Sequence, residues 1–299
     1  MSSYSARALA LAALPAAVAV WTIRPAAAFE ATLRTVYVTV TDNKGAPVSD
    51  LTAANFKVKE GGKEREITKA EPAKTPPHLA LMVEERLAPD AQTRMGLFEF
   101  VKRLNGIAEI SLVTVGLRNT TLAPFVTDPN PVLKAINELS LNPQPTSNLT
   151  EGISDMAQIF DKDKPRRPVM VVVCFSGGQA GGASANSVMT SLRQSGTKFY
   201  AVSYGPPNTN NSGDLGTMAD LSEREQVLGD GTKQTGGRRI DVPTTANIPK
   251  ALQQIADDLA AQYEITYALP DGVKPDKRFS INTDRKGITL RAPASISDK

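Results

Sequence analysis

The sequence predicts an α/β protein in which a doubly wound, mostly parallel, Rossmann-like sheet is inserted into a small β-sandwich built jointly by the N- and C-terminal segments. Three observations predict it. Apolar residues alternate with period two near both ends of the chain, unbroken apolar runs alternate with helically spaced stretches in the middle, and 299 residues suffice for both units.

Taken in order, residues 1–28 are expected to be a signal peptide. Arg7 gives a positive start, Ala8 to Trp21 is an Ala-rich apolar run broken by Pro15, and Ala26-Ala27-Ala28 offers the small residues a signal peptidase reads. The run is too short for a spanning helix. Cleavage before Phe29 removes Arg7 and Arg24, so the 34 basic residues fall to 32 against 31 acidic ones. The mature chain is then nearly neutral.

Residues 29–76 read as an N-terminal β segment. Val36, Val38 and Val40 alternate with Tyr37, Thr39 and Thr41, a turn follows at Asp42-Asn43-Lys44-Gly45, and Phe56 and Val58 alternate with lysines before Gly61-Gly62. Residues 263–299 repeat that grammar with Tyr263, Ile265, Tyr267 and Leu269 on one face, then Phe279 and Ile281, then Ile288 and Leu290. Neither piece has enough strands to bury a face alone, so the two are expected to pair.

Residues 77–262 read as the α/β domain. Leu79 to Val83, Ile110 to Val115, Val169 to Val173 and Lys198 to Tyr204 are strands of a covered sheet. Helical spacing appears in Met95, Phe98 and Val101, and in Leu149, Ile153, Met156 and Phe160 after a Ser147 or Asn148 cap. It recurs in Val188 and Leu192, and in Ile248, Leu252, Ile255 and Leu259. Asn130-Pro131 reads as an N-cap followed by Pro at the first helical position. Residues 205–216 read as a long irregular connection.

Composition excludes several functions. A near-neutral mature chain with 5% aromatic residues lacks a nucleic-acid footprint. With one cysteine, Cys174, and one histidine, His78, there is no internal disulfide and no Cys/His zinc site. Cys174 lies in an apolar run and reads as a buried, inert thiol. No cofactor is expected, and no membrane span once the leader is gone.

In doubly wound sheets ligands collect at the carboxyl ends of strands where the winding reverses. That points to Glu84 to Ala88 after the first central strand and Ser176 to Gly182 after the fourth. Several segments, in this order, resemble the von Willebrand factor type A domain, in a bacterial exported branch with a β-rich preface. They are Val36 to Val48 with Leu51 to Phe56, Leu79 to Glu84, Val171 to Gly177, Tyr200 to Gly205, Thr235 to Arg238, and Ala256 to Tyr267.

The resemblance implies a protein-binding module whose crevice often holds a metal-ion-dependent adhesion site, made from Asp-x-Ser-x-Ser, a Thr from a second loop and an Asp from the fourth strand. Here those positions carry Glu84, Arg86 and Ala88, then Thr146 or Ser147, then Ser176. The site is therefore expected to be degenerate and to hold no metal. Arg86 lies two residues from Glu84 on an extended segment, so their side chains are expected to share a side and pair in place of the ion, the alternative being that both face water. Like charge at a few ångströms would cost an ion about 4 kcal/mol near a protein surface.

No reaction is indicated. Ser176 lacks the Gly two residues earlier that a hydrolase elbow needs, and His78 is placed at the opposite end of the neighbouring strand. Gly177 to Gly182 lacks the ending of a phosphate loop. Asn119, Asn148 and Asn210 fit the N-glycosylation pattern. The expected function is an exported, periplasmic or secreted, non-catalytic module contacting a protein or envelope component. Its candidate contacts are Glu85, Arg86, Ser147, Ser176, Gln179, Asn208 and Asn210. The alternatives are a metal-dependent adhesin using Glu84 and Ser147, a hydrolase using Ser176, and a purely structural envelope protein.

Overall fold

A computed structural model describes residues 31–85, 90–139, 147–175, 181–205 and 215–297. The expected leader lies outside them. Among the described residues no helix is long and apolar enough to cross a membrane.

The chain opens with β1 (Thr32–Asp42), β2 (Phe56–Glu60), β3 (Lys63–Arg65) and β4 (Ile67–Pro72). The α/β part runs β5 (His78–Glu84), α1 (Ala91–Arg103), β6 (Glu109–Val115), β7 (Asn119–Val126), α2 (Asn130–Glu138), α3 (Leu149–Asp163), β8 (Pro168–Phe175), α4 (Ala185–Ser195) and β9 (Lys198–Tyr204). It continues through α5 (Leu215–Gln226), which passes by a π-helical stretch at Val227–Gly231 into α6 (Thr232–Gln234), then β10 (Arg239–Val242) and α7 (Ile248–Ala260). Strands β11 (Gln262–Leu269), β12 (Phe279–Thr283) and β13 (Ile288–Arg291) close the chain.

The central sheet has the order β10-β9-β8-β5-β6-β7, parallel except for the edge strand β7, which runs antiparallel to β6. Winding departs in both directions from β5, so the reversal falls between β5 and β8. Both faces are covered. Leu79, Leu81 and Val83 pack with Leu97, Phe100, Leu252 and Ile255 of α1 and α7, while Ala80 and Met82 pack with Ile153, Phe160, Val188 and Leu192 of α3 and α4. Burying each such side chain is worth about 1.5–3 kcal/mol, which explains why these runs carry no polar residue.

The terminal segments share sheets as expected. One has the order β13-β1-β11-β4 and the other β12-β2-β3, so each draws strands from both ends of the chain. Val36 faces Ile265 and Val38 faces Tyr263 in antiparallel register, and these join Phe56, Val58, Tyr267, Phe279 and Ile281 in one core. The expectation of a half-exposed β1 fails in its second half: Thr39 and Thr41 are also buried. The polar face of β1 abuts the α/β floor, where Lys198 Nζ donates to Thr39 Oγ1 at 3.4 Å and the Arg167 guanidinium lies 5.2 Å from the centre of the Tyr37 ring.

Other local expectations shift. α2 begins at Asn130, not after it, with Asp128 Oδ1 accepting from its N–H. α3 starts at Leu149 without a side-chain cap, because Ser147 donates to Glu84 and the Asn148 amide to Leu117 O. The strands β7 and β10 and the helix α5 were not legible in the spacing.

Candidate functional site

The crevice at the winding reversal is organised by one carboxylate. Glu84 is the last residue of β5, and its side chain is wholly withdrawn from solvent. An isolated carboxylate there would be strongly unfavourable. Arg224 of α5, equally buried, meets it in a two-point fork: Nη1 donates to Oε1 at 2.8 Å and Nη2 to Oε2 at 2.9 Å. The Ser147 hydroxyl, also fully buried, donates to Oε1 as well. Burial by itself would lower the Arg224 pKa; the Glu84 charge and its hydrogen bonds overcome that and raise it above the ordinary value.

Helix α5 also clasps the neighbouring loop. Asp220 Oδ2 accepts from the Gly181 N–H at 3.1 Å, and the Glu223 carboxylate accepts from the Ala185 N–H at the start of α4. Glu85 turns outward from Glu84, half-buried, and its Oε1 accepts from Thr114 Oγ1 at 2.9 Å. Its carboxylate lies over Gly116, where an added Cβ would stand 2.2 Å from Oε2.

Behind the crevice, Cys174 is fully buried. Desolvation pushes its thiol up to about 12, with the Arg224 charge opposing. At the far, amino end of β5, His78 stands opposite Pro168, the first residue of β8. His78 Nδ1 lies 2.6 Å from Glu109 Oε2, and its ring stacks on Phe125 at 3.7 Å. The neighbouring acids Asp257 and Asp258 are engaged by Arg103, and by Arg238 and Arg291, respectively.

Of the sequence-selected positions, Glu84 and Ser147 are brought together, and Glu85 sits at the rim. Ser147 supports the crevice from within and offers a partner no surface. Arg86, Ala88, Ser176, Gln179, Asn208 and Asn210 lie outside the described residues. Asn119 and Asn148 donate their amides to Gly152 O and Leu117 O.

The residue that sequence reasoning missed is Arg224. A signal was present: Leu221, Arg224 and Leu228 share the buried side of α5 and its π-helical extension, so a guanidinium was placed on an apolar stripe with only a buried acid to receive it.

Both Glu84 oxygens already accept strong donors, and the described residues contain no cluster of three or more His, Cys, Asp or Glu able to hold a metal.

Residues 92–228 match the model of the von Willebrand factor type A domain. Similar solved structures include proximal thread matrix protein 1 from the mussel byssus, at 11% identity and TM-score 0.47, covering 62% of this chain and 49% of that one. The chain thus spans about half the length of that protein. BatB from Bacteroides thetaiotaomicron, at 12% identity and TM-score 0.43, is covered over 98% of its chain by 61% of this one. An aerotolerance-related membrane protein from Bacteroides fragilis, at 15% identity and TM-score 0.43, has the same coverage. No curated protein matches. Type A domains form a family of protein-interaction modules, and this chain carries one of them over residues 92–228.

Proposed function

We propose that the protein is an exported, non-catalytic binding module whose type A domain engages a protein or envelope component in the periplasm or outside the cell, without a metal bridge. The observation that carries this is the Glu84–Arg224 fork. A cation fixed by the chain itself occupies the carboxylate that a divalent ion would need, and removing one partner from a buried pair costs about 3–5 kcal/mol, so an ion cannot displace Arg224 cheaply. Contact is then made beside the crevice, with Glu85 and, outside the described residues, Arg86, Ser176, Gln179, Asn208 and Asn210 as the candidate contacts. Export rests on the leader-like residues 1–28.

The test is crosslinking in the native compartment followed by mass spectrometry, with Mg²⁺ and with EDTA. The same partner in equal yield is expected in both. Loss of the partner on chelation, or micromolar Mg²⁺ binding by calorimetry, overturns metal independence.

A further inference from the structure

At the opposite end of the sheet from Glu84 lies a cavity of about 180 Å³, walled by the starts of β8 and β9, by β1 and by residues 293–297. Its charge is one-sided. Arg34, Arg166, Arg167, Arg193 and Lys198 line it, and among the described residues no Asp or Glu does. In a chain whose mature acidic and basic counts nearly match, this is a local concentration of positive charge.

Only one of the five cations is neutralised by a carboxylate within ion-pair distance among the described residues: Arg34 meets Glu60 at 2.9 Å. Arg167, buried, spends its donors on Gln262 Oε1 and on the carbonyls of Thr75 and Leu259, so its charge remains while its hydrogen bonds are satisfied. Lys198, also buried, donates to Thr39 Oγ1, and half-buried Arg193 to Thr190 Oγ1. Arg166 is exposed at the rim. Like charges gathered in a poorly solvated cavity repel, and an anion entering it relieves that repulsion.

We propose that this cavity binds a small oxyanion, a phosphate or carboxylate carried on a short apolar body. Arg166 and Arg193 meet the anionic head at the mouth, Arg167 and Lys198 supply the field behind it, and Val36, Met189, Leu192 and Ile296 receive the apolar part. Burial first, and then the nearby charges of Arg167 and Arg291, push the Lys198 pKa down to about 7, with Asp258 opposing. The site is independent of the crevice and of the partner it serves.

Calorimetric titration of the purified full chain at fixed ionic strength tests this, with inorganic phosphate, butyrate and, as a cationic control, ethylammonium as probes. Saturable binding of phosphate or butyrate and none of ethylammonium is expected. Arg166→Ala/Arg193→Ala, which alters exposed and half-buried positions, should weaken it at least tenfold with the far-UV spectrum unchanged, and Lys198→Met should weaken it as well. The preferred probe separates the two headgroup sources. Absence of saturable binding by either anion, or binding indifferent to the folded Arg166→Ala/Arg193→Ala protein, would overturn the proposal.

Discussion

Arg224 and Glu84 lie 140 residues apart in the chain and form a solvent-excluded, two-point ion pair with both N···O distances below 3 Å. The pair closes the winding reversal by tying α5 to the end of β5. Its energetic character is asymmetric. Two desolvated charges that match gain little over an apolar pair of the same shape, whereas one left alone is costly.

Breaking one side is therefore expected to be severe. Arg224→Met or Glu84→Gln should each lower unfolding free energy by about 3–5 kcal/mol, read from the denaturant midpoint, while Glu84→Leu/Arg224→Met recovers most of that loss. A double variant as unstable as the worse single one would show that the fork is not the dominant interaction.

Lys198 predicts a pH dependence. Its amine titrates near 7 in the folded protein against an ordinary 10.5, so between those values the unfolded chain holds a proton that the folded chain does not. Stability from this group accordingly rises with pH across that window, and its penalty is complete below it. Burial above all, then Arg167 and Arg291, press the amine toward neutrality, Asp258 opposes them, and the Tyr200 phenol, pushed up to about 12 by burial, stays neutral throughout. Lys198→Met should raise Tm clearly at pH 6 and hardly at pH 10.

Cys174 is expected to resist alkylation. With its thiol held near 12 and no solvent contact, iodoacetamide at pH 8 should modify it only through opening of the sheet, and promptly in denaturant. Rapid labelling of the native protein, checked by intact mass, would contradict the buried placement.

Gly237 is expected to be intolerant of any side chain. A Cβ there would stand 1.8 Å from the Phe199 carbonyl oxygen, a backbone atom of β9 that cannot swing aside. Gly237→Ala should cost at least the 1–3 kcal/mol typical of overpacking. At Gly116 the obstacle is the end of the flexible Glu85 side chain, so Gly116→Ala should cost less. Parallel urea melts of the two variants decide the order.

Export predicts a simple optical signature. Trp21 is the only tryptophan, so material cleaved before Phe29 should show tyrosine emission alone, whereas uncleaved chain shows indole fluorescence.

The sequence by itself determined the architecture, because burial on one face or two writes itself into the spacing of apolar residues. Val36, Val38 and Val40 announced a sheet with one apolar face, and Leu79 to Val83 a strand covered on both. Weakly patterned elements escaped it: β7 is an edge strand with a single buried side chain, and α5 shows few apolar positions because its buried stripe includes an arginine. The sequence also singled out Glu84 and Ser147, and expected Arg86, which lies outside the described residues, to pair with Glu84. Only the tertiary structure decided that Arg224 meets that carboxylate, and that five cations from separate segments line one cavity. Ion pairing depends on distance in space, and local periodicity carries no record of which distant helix will bring its charge to a buried acid.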